Sequence, residues 1–227
     1  IIPVSLELPQ AAAVFFNPKQ NPLLADKGVR RALTMAIDKG RIIFDVLNGD
    51  GHPADHPVLP GMNATSTMPV AYNLTAAGEL LDSLGWNVDA PDGVRRRIVT
   101  AAKGKDPAAV ETLSVTLTTV DQPESIGTAT IIKNGWLALG VDVVLTTVPA
   151  SEIHRNVIRS RDYDALLYSQ LLGNDLDPYP FWHSSQTQDP GLNLAMFSDA
   201  AADQALESAR RTSDPAVRRQ AARAHAS

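Results

Sequence analysis

LSVTLTTVDQPESIGTATIIKNGWLALGVDVVLTTV, residues 113–148, holds two β-branched runs with a helix-spaced segment between them. From Leu113 the residues alternate as in a strand, and VDVVLTTV from Val141 repeats the pattern. Between these runs Ala129, Ile132, Trp136 and Leu139 recur at helical spacing, with Pro123 near the first turn and Gly140 just past the end. Strand, helix and strand with short connections make a βαβ unit, whose two strands run parallel with a right-handed crossover. The stretch places the chain among α/β proteins.

Upstream, the segment from Val29 to Leu47 carries Val29, Leu33, Ala36, Ile37, Phe44 and Leu47 on one helical stripe, with Asp26 as N-cap and Gly49 as stop. Arg30, Arg31, Asp38, Lys39 and Asp45 form the opposite, solvated face. The loop GDGHPADHPVLPGM, residues 49–62, is too rich in Gly and Pro for regular structure. A second helix is predicted over Leu74 to Leu84, with Leu80, Leu81 and Leu84 inward, Asn73 or Thr75 as cap and Gly85 as terminator. A turn at DAPDGV and a polar loop at KGKDP follow. Downstream of the βαβ unit the reading is a helix capped by Ser151 and running towards Arg161, then the strand YDALLYSQ, then a helix near Asp199 to Arg211. A last helix opens at Ser213 with Pro215 in its first turn and runs into the terminus with no closing element, so the chain reads as a piece of a longer protein.

At 227 residues and 44% hydrophobic the chain can bury a sizeable core. The formal net charge is -5 and the arginines are scattered, which argues against a nucleic-acid surface. The absence of cysteine excludes disulfides, thiolate zinc sites and cysteine nucleophiles. No run of about 18 to 20 apolar residues is present, and IIPVSLELPQ lacks the features of a signal peptide.

No nucleophile elbow or glycine-rich phosphate loop occurs. His52 and His56 are each followed by proline, which excludes the helix that would align two imidazoles on a metal. Asp175 and Asp177 have no further acidic residue close by to complete an oxygen shell, so no metal site is expected. His183 lacks a nucleophile or orienting acid and reads as a structural histidine. The favoured site is the stretch YSQLLGNDLDPYPFWHSSQ, residues 168–186, which leaves the strand YDALLYSQ. In an open α/β sheet, ligands bind beyond the carboxyl ends of parallel strands. Tyr168 and Gln170 at the strand end, then Asn174 and Asp175 in the loop, are the candidate ligand-binding residues. Asp177 reads as the cap of a helix beginning at Pro178, whose Tyr179, Phe181 and Trp182 pack inward.

Several phrases together resemble family 5 extracellular solute-binding proteins, the receptors of peptide, nickel and related ABC importers. DKGVRRALTMAID, residues 26–38, followed by its glycine and proline-rich loop, matches the family's D-x-x-V-R-x-A-L-x-x-A-I-D segment. In the same order come YNLTAAGELLDSLGW, GWLALGVDVVL, RDYDALLYSQLLGNDLDPYPFWHSSQ, GLN and SDPAVRRQAARAHA. The resemblance implies a two-lobed type II periplasmic-binding fold that closes over its ligand. Residues 1–227 then form a single α/β lobe, the C-terminal one, a mixed sheet with βαβ units flanked by helices; the N-terminal lobe and the final tail are absent.

The implied function is binding a peptide or other small polar solute and delivering it to a membrane permease, with no catalysis and no cofactor. The implied receptor is a monomer at the extracellular face or in the periplasm, lipid-anchored through its missing N-terminus. The alternative is a sensory or regulatory protein that uses the same lobe for ligand detection. In peptide-binding members an acidic residue before the Asp-Pro pair receives the ligand's amino terminus. Counting back from Pro178 gives Asn174, with Asp175 beside it, in a loop one residue longer than theirs. Ser169 and Gln170 stand where those members often have Gly-Trp, which implies the loss of an aromatic wall. Without a countercharge, burying an ammonium costs roughly several kcal/mol, favouring a neutral or differently charged ligand.

Overall fold

The computed structural model describes residues 10–54, 69–88, 91–99, 109–171 and 177–211. Strand β1 (Gln10–Phe16) leads through a single 3-10 turn at Pro22–Ala25 into helix α1 (Lys27–Met35). Asp26 opens α1 as expected, its Oδ1 accepting the Gly28 N–H at 2.7 Å. The helix predicted to run on to Leu47 instead stops at Ala36, and α2 (Lys39–Asp45) starts afresh. Asp38 causes the break: its short carboxylate accepts the Arg41 N–H at 2.9 Å from a non-helical backbone, the role of an N-cap rather than of a solvated helical residue. Phe44, placed inward by the sequence pattern, is 78% exposed because the interruption rotates the second helix off the first one's stripe. Arg30 is likewise not merely solvated, since its guanidinium donates to the Leu24 and Ala25 carbonyls at the end of the 3-10 turn.

Helix α3 (Leu74–Ser83) is capped by Asn73, which accepts the Ala76 N–H at 2.9 Å, and it ends before Gly85 at φ +83, a left-handed value that suits glycine. Next come β2 (Asn87–Val88), β3 (Arg95–Val99) and β4 (Ala109–Thr112), an antiparallel sheet in the order β2-β3-β4. The sequence reading has only a turn and a polar loop here. Arginine hides the strand: the buried position of β3 is Arg95, whose Nε donates to the Leu139 carbonyl and Nη1 to the Trp86 carbonyl, both at 2.6 Å, and to Asp82. A buried guanidinium so satisfied takes a core position that a hydrophobicity pattern reads as surface.

The decisive stretch folds as predicted. β5 (Ser114–Val120), α4 (Pro123–Ala138) and β6 (Asp142–Val148) form the βαβ unit, its strands parallel from Ser114↔Asp142 to Val120↔Val148. Helix α4 is fastened to α1 by Trp136, fully buried, whose Nε1–H donates to the Leu33 carbonyl at 2.9 Å. The helix expected from Ser151 is a single π turn at His154–Ile158 with no side-chain cap. Strand β7 (Ala165–Leu171) lies on the other side of β5 and parallel to it, paired from Leu117↔Ala165 to Thr119↔Leu167, in a sheet ordered β1-β7-β5-β6. One-turn helix α5 (Tyr179–Trp182) and α6 (Ala200–Arg210) follow, α6 capped by Asp199 as expected. The helix predicted from Ser213 lies outside the described residues.

The chain divides into two compact units, Phe15–Pro53 with Val70–Leu167, and Ile1–Val14 with Ala54–Pro69 and Tyr168–Ser227. In the former, Leu33, Leu81, Trp86, Leu117, Ile132 and Trp136 are fully buried. Among the described residues of the latter, Leu194, Ala202 and Leu206 are the most deeply buried apolar ones.

Candidate functional site

Beyond its last pair with β5, Thr119↔Leu167, strand β7 continues as Tyr168, Ser169, Gln170 and Leu171. Strand alternation puts Tyr168 and Gln170 on the same face, and both are half-buried. The Gln170 Nε2–H donates to the Leu192 carbonyl at 3.2 Å. Asn174 and Asp175, the other candidate ligand-binding residues, lie outside the described residues, as does His56; His52 is exposed in irregular chain.

Asp177 ties three segments together. Its Oδ1 accepts the Tyr179 N–H at 3.1 Å, so it serves the first turn of α5, which begins one residue later than expected. Its Oδ2 accepts from Arg210 Nε and Nη2 at 2.9 and 2.6 Å, and the Arg210 guanidinium lies 3.8 Å from the centre of the Tyr179 ring. The three aromatic side chains expected to pack inward are half-buried: Tyr179 stacks on His183 with centroids 4.2 Å apart, and Trp182 meets Phe197 edge-on at 5.9 Å.

His183 is buried. Its Nδ1 accepts the Ser185 N–H at 3.1 Å and lies 2.8 Å from the Ser185 Oγ. Its Nε2 makes no hydrogen bond, standing 3.8 Å from Asp203 Oδ1 and 3.6 Å from Glu207 Oε1. Half of the imidazole is therefore satisfied as a structural histidine, and half faces carboxylates. Burial works to raise the Asp203 carboxyl, but the Ser184 hydroxyl and backbone N–H, donating to it at 2.5 and 2.9 Å, with His183 nearby, hold it below the usual carboxylate range. Among the described residues no group of three or more His, Cys, Asp or Glu is placed to hold a metal ion, and no described helix is long and apolar enough to cross a membrane.

The residue that sequence reasoning passed over is Asn193. It is fully buried, its Nδ2 lying 3.3, 3.2 and 2.9 Å from the carbonyls of Trp182, His183 and Phe197, while its Oδ1 accepts the Phe197 N–H at 3.1 Å. One side chain thus ties the end of α5 to the chain ahead of α6. Its signal was present in the phrase GLN, an asparagine two residues after a glycine. Gly191 itself admits no side chain, because a Cβ there would collide with the Gln186 carbonyl.

A parallel β7-β5-β6 ladder flanked by helices is the α/β architecture of the type II periplasmic binding proteins. The model of the bacterial extracellular solute-binding proteins, family 5 Middle, matches residues 8–192, and the chain belongs to that family. It is 30% identical over 203 residues to the oligopeptide-binding protein AppA of Bacillus subtilis strain 168, which covers 86% of this chain and 35% of that protein. The structure of AppA in complex with a nonapeptide superposes with a TM-score of 0.81 at 27% identity, over 96% of this chain and 43% of that one. NikZ from Campylobacter jejuni, in complex with Ni(L-His), shares the fold with a TM-score of 0.78 at 24% identity, over 96% and 42% of the two chains. The chain spans about 35% of the length of the curated relatives it matches.

Proposed function

We propose that this chain is the C-terminal lobe of the solute receptor of an ABC importer, which binds a peptide or other small polar solute and hands it to a membrane permease. Membership of the family over residues 8–192 carries the reading. The ligand-facing residues are Tyr168 and Gln170 at the end of β7, with Asn174 and Asp175 in the loop after it. Ligands of open α/β sheets sit beyond the carboxyl ends of parallel strands, and the β5–β7 ladder is parallel. AppA, in complex with a nonapeptide, and NikZ, in complex with Ni(L-His), mark the range of solutes to try. The receptor works as a monomer at the extracellular face or in the periplasm, held to the membrane by a lipid.

Calorimetry on the full-length protein, stripped of co-purified ligand, tests the reading against pentapeptide pools, nickel-histidine and other polar solutes. Saturable binding of one class is expected, weakened roughly tenfold or more by Tyr168→Ala, as for an aromatic anchor in a closed site. A folded protein that binds none of these classes would overturn it.

A further inference from the structure

His183 sits between two sets of partners that ask different things of its ring. On one side Nδ1 accepts the Ser185 N–H at 3.1 Å, which makes the imidazole the cap of the 3-10 turn Ser184–Gln186. A backbone N–H only donates, so Nδ1 is bare in this arrangement and the proton of the neutral ring sits on Nε2. On the other side that Nε2 is buried and, among the described residues, has no hydrogen-bond partner. It stands 3.8 Å from Asp203 Oδ1 and 3.6 Å from Glu207 Oε1, one turn apart on α6.

A second proton can go only to Nδ1, and it changes both sides at once. Nδ1 then no longer accepts the Ser185 N–H, and its new N–H faces the Ser185 Oγ, 2.8 Å away. That oxygen has two lone pairs, one of which accepts from Gln186 Nε2 at 3.0 Å, so it can take the new donor. The positive charge also falls within ion-pair distance of both carboxylates, which favour the charged ring. The charged groups next outward are engaged. Arg211 lies 3.4 Å from the other oxygen of Glu207, and Arg210, against the Tyr179 ring that stacks on the imidazole, is bonded to Asp177. Asp203 takes its hydrogen bonds from the uncharged Ser184 donors.

We propose that His183 is a pH-operated clasp: neutral, it caps the turn Ser184–Gln186, and with a second proton it releases that cap and pairs with Asp203 and Glu207, fastening the chain after α5 to α6. Imidazole is the side chain that ordinarily changes charge between about pH 5 and 8. Carboxylates and guanidinium groups ordinarily keep their charges over that range, so the ring supplies the change. The turn it releases carries the Gln186 carbonyl that accepts the Asn193 N–H at 3.1 Å, so the loosening reaches the segment ahead of α6.

NMR of the ring nitrogens and urea unfolding, both on the full-length protein, test this. At about pH 8 the His183 ring should carry its proton on Nε2, and on titration to about pH 5.5 the Ser185 amide resonance should move as the ring gains charge. Glu207→Gln removes one partner of the charged ring, while the exposed pair it also loses, with Arg211, contributes little throughout this range. Urea midpoints of the wild type and Glu207→Gln should therefore nearly coincide at about pH 8 and separate at about pH 5.5, the wild type higher. In a His183→Gln background the separation should vanish. A gap that is the same at both pH values, one that persists without His183, a Ser185 amide that stays put while the ring charges, or a ring that stays neutral throughout overturns the proposal. Where a variant does not fold, the resonances of the wild type decide. Each of these outcomes leaves the receptor reading intact.

Discussion

Asp177 and Arg210 are joined through a single oxygen: the Asp177 Oδ2 accepts both Nε–H and Nη2–H of Arg210, leaving Oδ1 for the Tyr179 N–H. The carboxylate read from the sequence as a helix opener is thus also the anchor for the last turn of α6. The ion pair is partly exposed and is worth little by itself, whereas the bond to the backbone N–H resembles a cap. Asp177→Asn keeps that acceptor and should cost less than about 1 kcal/mol, while Asp177→Ala loses both contacts and should cost about 1–2 kcal/mol. Urea denaturation of the full-length protein separates the two; equal losses would show that the ion pair dominates.

Gly135 lies in the middle of α4, where alanine would ordinarily stabilise a helix by roughly 0.5–1 kcal/mol. Here a Cβ would run into the Ala36 carbonyl oxygen, backbone that cannot step aside. Gly135→Ala should therefore destabilise by about 1–3 kcal/mol, reversing the sign of the propensity effect. Gly127→Ala is the comparison, since the nearest atoms its Cβ would meet belong to the Val46 side chain, with the methyls at 3.2 Å. Thermal or urea unfolding of both variants checks it: a neutral Gly135→Ala would mean that α4 and the end of α1 separate readily.

The βαβ unit was legible because β5 and α4 obey the two simplest periods, two and 3.6, with glycine and proline at the boundaries. The sheet of β2, β3 and β4 was not, because its buried position is an arginine whose partners, Asp82 and the Trp86 and Leu139 carbonyls, are remote in sequence. The break between α1 and α2 turned on whether Asp38 would bond its own backbone, a choice that propensity alone does not decide. Tyr168 and Gln170 were picked out as candidates from their place at a strand end, but the bond from Gln170 to a carbonyl 22 residues away was not legible. Long-range polar contacts leave no periodic trace.

The Asn193 side chain bonds to three residues from the end of α5 to the chain ahead of α6, so its removal should be felt well beyond one side chain. Asn193→Ala takes a donor from the Trp182, His183 and Phe197 carbonyls and the acceptor from the Phe197 N–H, and should cost about 2–4 kcal/mol. Asn193→Asp keeps the acceptor but sets negative charge against three carbonyls and should do no better. Hydrogen exchange should show the loss of protection at Phe197 and Asn193 first. Unchanged protection there would contradict a central role for this side chain.

The Ser184–Asp203 contact should be lost in acid. Burial tends to raise the Asp203 carboxyl, but the Ser184 donors, with His183 adding to them, leave it below its ordinary value of 3.8. A carboxyl whose folded-state value is depressed stabilises the fold fully above the unfolded-state value, and that contribution vanishes as pH falls through the folded-state one. The groups facing it are the Ser184 hydroxyl and N–H and the His183 Nε2, while Glu207 faces the same imidazole from the next turn of α6. Urea midpoints of the wild type and Asp203→Asn, compared from about pH 6 down to about pH 2, should differ most at the upper end and converge on acidification. A difference that stays constant across that range would show that the ionised carboxylate is not what holds Ser184.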